Sequence, residues 1–337
     1  MCGRFALRLD RHQIRNAIPD ADEWLDEDAF MPRYNIAPRT YSPVIRRPAP
    51  ALAPIEDRLV LHTMKWGLVP HWSKVEDKTL STTNARAENL VNGGGMWSNI
   101  KGKNRCAVVC QGYYEWLTKG KVKLPHFTKM KDGNLMLLAG LYDHAVINGQ
   151  SLWTFSIVTT DANPDFAWLH DRQPVILSTP ESLNAWLDTS TPGWTPTLTK
   201  LVQPYKDTGH PLECYQVPKE VGKVGTESPS FIEPIKDRKD GIQAMFQKQL
   251  QSTSGSGGGT KRKHDSSPTE ESKDDSKKEI KPEPAEEKKV KLRPTITPPS
   301  TPRKPKSSPT RRSTSPRKSA LPPTPEKARI TAFFRKK

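Results

Sequence analysis

An α+β domain built on antiparallel sheet is the fold class this 337-residue sequence predicts, with a basic tail behind it. Three observations carry that reading. Short apolar runs of strand length recur between Pro and Gly punctuation, and few stretches keep a helical period. All nine tryptophans fall between Trp24 and Trp194, within a segment long enough to bury a sizeable core. Past residue 252 the composition turns to Ser, Gly, Pro and charge, which cannot offset the entropy of ordering.

The elements follow in chain order. Arg4-Phe5-Ala6-Leu7-Arg8 follows a glycine and reads as a short strand. Residues 12–18 are helix-compatible up to Pro19, and an acidic segment runs on through Trp24 to Phe30. Residues 43–54 are proline-rich and read as a loop. Residues 58–64 alternate like a strand, and residues 85–91 predict a short helix ended by Gly93-Gly94-Gly95. Arg105-Cys106-Ala107-Val108-Val109-Cys110 is a buried-strand run. Residues 135–142 and 151–160 are two more, with Asn148-Gly149 as the turn between them. Residues 181–187 form a helix with Ser178 or Thr179 as cap and Pro180 in its first turn. Residues 214–217 are a late strand and residues 240–251 a final helix.

Charge separates the two parts. Residues 261–337 hold 23 Lys and Arg against 10 Asp and Glu, so 13 of the chain's +16 net charge sits in the tail. The folded part is nearly balanced and can bind a polyanion only through a local patch. The N-terminus lacks the apolar segment of a secretory leader, and no apolar run reaches bilayer length, so no membrane partner is expected. Four cysteines, with Cys106 and Cys110 spaced by three residues and no second close pair, argue for free thiols and core packing. No metal site and no cofactor are expected.

Cys2 stands where removal of the initiator methionine makes it the first residue. It would then carry a free amine beside its thiol. Such a 1,2-aminothiol condenses with an aldehyde to an imine, and the thiol closes a thiazolidine ring. An internal cysteine, its nitrogen held in an amide, cannot do this.

Six clusters of polar and aromatic residues accompany it: Met1-Cys2-Gly3-Arg4-Phe5-Ala6, Arg33-Tyr34-Asn35-Ile36-Ala37-Pro38, Trp66-Gly67-Leu68-Val69-Pro70-His71-Trp72, Thr83-Asn84-Ala85-Arg86-Ala87-Glu88, Gly112-Tyr113-Tyr114-Glu115-Trp116 and Leu169-His170-Asp171-Arg172-Gln173-Pro174. In this order and spacing they resemble the SRAP family, the SOS response-associated peptidases. The resemblance runs from Met1 to about Val217 and implies a single SRAP-type domain, an antiparallel pseudo-barrel with short helices; with composition it sets the domain at residues 2–251 and a disordered tail at 252–325. It also implies covalent capture of abasic sites in single-stranded DNA by a monomeric protein, with Cys2, Asn84, Glu115 and His170 as catalytic residues.

Chemistry gives these residues roles. An abasic deoxyribose in its open form carries an aldehyde. The α-amine, at about 7.7–8.0, must lose a proton to attack, and a thiolate then closes the ring. Glu115, in an aromatic frame that excludes water, suits proton transfer. His170 can protonate the sugar ring oxygen or help reverse the adduct. Asn84 can bond the amine or the sugar, or simply cap the following helix. Arg4 and Arg86 can pair with phosphates, Asn35 belongs to the same DNA-contacting set, and Trp66, Trp72, Pro38 and Pro70 can wall the strand by stacking. For Trp66, core packing competes on equal terms. Gln173 replaces a methionine usual in the family, and Arg39-Thr40 replaces a glutamine.

Ile330-Thr331-Ala332-Phe333-Phe334 with Arg335-Lys336-Lys337 resembles a motif that docks on the replication sliding clamp, so residues 326–337 are expected to bind it. Lys327 stands where glutamine is usual. Basic clusters such as Lys261-Arg262-Lys263-His264 point to nuclear import or to phosphate binding. Two other classes compete with the lead: a peptidase using Cys2 as an N-terminal nucleophile, and a non-covalent reader of modified DNA.

Overall fold

A closed ring of five strands stands at the centre of the residues that the computed structural model describes, 2–48, 58–191 and 193–235. In chain order the elements are β1 (Phe5–Leu7), α1 (Arg11–Ala17), β2 (Ala21–Leu25), β3 (Arg33–Ile36), β4 (Tyr41–Arg46), β5 (Leu59–Trp66), β6 (Asn84–Arg86), α2 (Ala87–Val91), β7 (Arg105–Cys110), β8 (Gly112–Lys119), β9 (Val122–Met130), β10 (Met136–Ile147), β11 (Gln150–Asp161), β12 (Arg172–Pro174), α3 (Pro180–Leu187), α4 (Pro196–Leu201) and β13 (Leu212–Gln216). Strands β11, β10, β7, β4 and β5 pair in that order. The parallel contact of Thr154 with Lys65 and Phe155 with Trp66 joins β5 back to β11. Closure of this kind leaves no exposed edge to template aggregation. A second sheet, in the order β13-β9-β8-β1-β3, lies beside the ring.

The strand expectations at 4–8, 58–64, 105–110, 135–142, 151–160 and 214–217 correspond to β1, β5, β7, β10, β11 and β13. Asn148 and Gly149 both hold positive φ, 51° and 78°, as a tight two-residue hairpin turn needs. In α3, Thr179 caps the helix through the Ser182 amide and Pro180 fills the first turn. Cys106 and Cys110 are fully buried in β7 and free.

Three expectations change. Residues 43–46, read as part of a loop, belong to strand β4, because Val44 and Ile45 are buried between β5 and β7. Pro43 lies just outside the β7 ladder, a place a strand proline tolerates. The acidic segment after Pro19 contains β2, which buries Trp24 and pairs in parallel with β5. The helix expected from residue 85 begins at Ala87, since residues 84–86 are drawn into β6 beside β11. The helix at 240–251, the tail and the clamp-like motif with Ile330, Phe333 and Phe334 lie outside the described residues, as does Met1. Among the described residues no helix is long and apolar enough to cross a membrane.

Two features of this fold place the site. Strand β1 is held on both sides, Phe5 opposite Tyr113 of β8 and Ile36 of β3. The Tyr114 amide donates to the Arg4 carbonyl at 2.9 Å, and the Phe5 ring packs 5.0 Å from Trp66 of the ring of strands. The second feature is the end of β11. Past its pairing with β10, residues Thr159 to Asp161 are flanked by β12, while Ile157 to Thr159 pair with β6 on the opposite edge. Asn84 and the segment carrying His170 are thereby brought to one end of the barrel.

Candidate active site

Cys2 is fully buried immediately before β1. Burial chiefly, and the negative charge of Glu115 after it, push its thiol up to about 12, against the positive charge of the chain's amino terminus and then a hydrogen bond from the Arg4 backbone. The thiol is therefore held protonated at neutral pH. Asn84 Nδ2 donates to the Cys2 carbonyl oxygen at 2.9 Å. Its Oδ1 is buried without a hydrogen-bond partner, so the amide has an acceptor to spare beside Cys2. The cap alternative for Asn84 fails: the helix N-cap is Arg86, and no side chain caps it.

Glu115 sits on β8, 6% exposed, directly across the ladder from His126. One of its oxygens accepts from the Trp116 amide at 3.2 Å. It lines a small open cleft shared with Tyr113, Phe166, Leu169, His170, Arg172 and Gln173. His170, about one-third exposed, lines the same cleft. Its Nδ1 accepts from the Arg172 amide at 3.0 Å and lies 2.6 Å from Asp171 Oδ1. An unprotonated Nδ1 takes the first bond and a protonated one the second, so the ring can hold or release a proton without leaving its place.

Arg172 fixes this segment. It pairs with Glu88 of α2 and with Asp161 at 2.7 Å, and donates to the Thr159 carbonyl at 2.8 Å. Gln173, 2% exposed, accepts from the Asn163 amide at 2.9 Å through Oε1. That bond fixes which end of the amide is which, and leaves Nε2 buried with no hydrogen-bond partner. Cys2, Asn84, Glu115 and His170 thus gather at one place.

The residues expected at DNA divide. Trp72 is 48% exposed, edge-on to His71 with ring centroids 4.7 Å apart. The loop that carries it is anchored by Asp143, which accepts from both the His71 amide and Nδ1 at 2.9 Å. Arg86 is exposed and Pro38 half-buried. Trp66, by contrast, is fully enclosed, stacked on Phe155 and donating to the Thr83 carbonyl at 2.9 Å, so no ring face is left for a base. Pro70 is buried too.

Arg4 and Asn35 are also turned inward. Arg4 donates to Asn35 Oδ1 at 2.6 Å and to the Val221 carbonyl at 2.9 Å, with its guanidinium 5.7 Å from the Trp116 ring centre. Asn35 Nδ2 reaches the Val221, Lys223 and Thr226 carbonyls. The pair ties the N-terminal strand to residues 221–226, a structural task that the cluster spacing alone could not tell from phosphate contact. Sequence reasoning missed Trp168, which is 50% exposed two residues before His170, and His126 opposite Glu115. An exposed-type aromatic so near a candidate histidine was the available signal. Among the described residues no group of three or more His, Cys, Asp or Glu is arranged to hold a metal ion.

A family model described as SOS response associated peptidase (SRAP) matches residues 1–224. The chain is 36% identical to the abasic site processing protein YMR114C of Saccharomyces cerevisiae, over 70% of this chain and 68% of that one. It is 30% identical to the abasic site processing protein HMCES of Gallus gallus, over 70% and 78% of the two chains. It is 34% identical to YoqW of Bacillus subtilis, also named an abasic site processing protein, over 69% and 99%. A solved structure of a protein from Bacteroides thetaiotaomicron shares the fold, with a TM-score of 0.57 at 24% identity, over 69% of this chain and 99% of that one.

Proposed function

The chain belongs to the SRAP family, and on that premise we propose that it processes abasic sites in single-stranded DNA by trapping the open sugar on Cys2. The observation that carries this reading is the meeting of Glu115 and His170 in one cleft, with Cys2 inside the electrostatic reach of Glu115 and its carbonyl held by Asn84.

The steps balance as follows. Removal of Met1 frees the Cys2 amine. His170 donates a proton to the ring oxygen of the sugar as the C1′–O4′ bond breaks, and the C1′ hydroxyl returns its proton to the imidazole through solvent, leaving the open aldehyde. The neutral amine adds to that carbon, and loss of one water leaves an imine. Glu115 supplies and retrieves the protons of this dehydration. The Cys2 sulfur then adds to the imine carbon, its proton passes to the ring nitrogen, and a thiazolidine closes. The net change is one aldehyde plus one aminothiol giving one ring and one water. In this reading the spare Asn84 Oδ1 accepts from the amine and aims its lone pair.

Trp72 and Arg86, both exposed, supply a stacking face and a phosphate contact, so the site reads single-strandedness rather than sequence. The basic tail and clamp-like motif add a replication setting and a nuclear location to the same proposal. The test is to mix the mature protein with single-stranded DNA bearing an abasic site, denature, and look for a covalent band. The reading requires a band that is absent for Cys2→Ala and for protein retaining Met1. Peptide cleavage without any band would favour the N-terminal-nucleophile peptidase, and binding abolished by denaturation a non-covalent reader.

A further inference from the structure

Beside the cleft lies an aromatic and basic face with no part in the chemistry described above. Residues 163–169 form a tight turn held by Asn163. Its Nδ2 donates to the Tyr205 carbonyl at 2.8 Å, its Oδ1 accepts from the Phe166 amide at 3.0 Å, and its own carbonyl accepts from the Phe166 and Ala167 amides at 3.0 Å. This turn supplies Phe166 and Leu169 to the cleft wall and leads directly into His170. At its outer end Trp168 stays 50% exposed, although such a ring would ordinarily be turned inward. It is not loose: it stands edge-on to His126, with ring centroids 5.2 Å apart and planes at 81°.

His126 is itself fixed. Its Nδ1 bonds the Leu124 carbonyl at 3.0 Å, and it faces Glu115 across the β8–β9 ladder. Side chains alternate along a strand, so Glu115, Leu117 and Lys119 share one face of β8, opposite His126, Leu124 and Val122 of β9. That face leads from the catalytic carboxylate past the Trp168–His126 pair to the exposed Lys119 and, in the hairpin turn, Lys121. The charge of Lys119 is felt at His126, which puts the ammonium within reach of the same platform.

We infer that Trp168, seated on His126, is a stacking platform for a base on one side of the abasic sugar, with Lys119 and Lys121 receiving the phosphates of that arm. The inference rests on the reading of the cleft given above. The occupant follows from contiguity: a strand whose sugar lies between Glu115 and His170 must lead out of the cleft, and this face offers a flat exposed ring and then positive charge. Stacking on a fixed tryptophan tolerates any base. Trp72 stands on a different loop and serves the other arm.

The test separates the two arms. Two short single strands carry a tetrahydrofuran in place of the abasic sugar, one with nucleotides only on its 5′ side, the other only on its 3′ side. Affinity for each is measured with the mature protein and with Trp168→Ala, Trp168→Phe and Trp72→Ala. Trp168→Ala should weaken one of the two strands by roughly 5- to 100-fold, the range for loss of one base stack, and leave the other within about twofold. Trp168→Phe should recover most of the loss, and Trp72→Ala should act on the opposite strand. Thermal stability of Trp168→Ala should stay unchanged, since the ring is half exposed. Equal loss on both strands, or loss on neither, overturns the inference. A wild-type protein that binds both strands but never cross-links to true abasic DNA refutes the reading of the cleft while leaving this test of Trp168 intact.

Discussion

Asn84 Nδ2 donates to the carbonyl oxygen of Cys2 at 2.9 Å, so a residue 82 positions away sets where the N-terminal residue lies without touching its sulfur. That bond exists because β6 is drawn alongside β11, opposite Ile157, instead of joining the helix behind it. Asn84→Ala should slow covalent capture about 3- to 10-fold, the worth of one ordinary hydrogen bond. Asn84→Asp should be worse, because a carboxylate repels the carbonyl it replaces a donor for. Single-turnover cross-linking rates decide it, and equal rates for the two variants would remove Asn84 from the role.

Trp66 and Trp72 stand six residues apart in one sequence cluster, and they predict opposite phenotypes. Trp66→Ala should cost roughly 3–5 kcal/mol of stability, since the ring is enclosed by Phe5 and Phe155. Trp72→Ala should change stability by less than about 0.5 kcal/mol and weaken binding of single-stranded DNA by about 1–3 kcal/mol. Chemical denaturation and DNA titration on both variants check the pair. A fold-neutral Trp66→Ala would mean that the ring is not core.

His62 gives the fold an acid-side weakness. Burial chiefly, with the charge of Arg46 next, lowers its pKa from 6.5 to about 4, against the pull of Asp26. Above 6.5 neither state carries the proton, and below about 4 both do. Between those values the unfolded chain binds a proton that the folded chain refuses, so stability is lost as pH falls from about 6.5 to about 4. His62→Gln should flatten the fall in Tm over this window relative to wild type. Parallel slopes for the two proteins would contradict the assignment.

Gly112 pairs with Ala6 and lets β1 lie against β8. A Cβ there would stand 2.4 Å from the Thr128 carbonyl oxygen and 2.6 Å from Phe127 Cζ. Backbone cannot yield as a flexible side-chain tip can, so Gly112→Ala should destabilise by roughly 1–3 kcal/mol and loosen the strand that presents Cys2. Denaturation midpoints test the first effect and cross-linking rate per folded molecule the second.

The sequence was most readable where one physical signal acted alone. Alternation and continuous apolar runs located β5, β7, β10 and β11, and Asn148-Gly149 announced their hairpin. It was least readable where local preference and tertiary context disagreed. The prolines around residue 43 speak for a loop, yet burial of Val44 and Ile45 between two strands makes one. Site clusters were legible as clusters, because polar residues beside buried glycines and aromatics are uncommon. Spacing could not say which members face inward. Besides bonding each other, Arg4 and Asn35 both reach the Val221 carbonyl more than 180 positions downstream, a partnership no local pattern carries. Trp168 drew no notice for the converse reason: exposure is a property of the assembled surface.

The central claim is that Cys2, freed of Met1, closes a ring on the aldehyde of an abasic sugar. Mass spectrometry of the protein after reaction with abasic single-stranded DNA and digestion of both partners tests it most directly. The account predicts an N-terminal peptide that begins at Cys2 and carries the sugar remnant with loss of one water. A remnant attached to any other residue, or to a peptide that still begins at Met1, would contradict it.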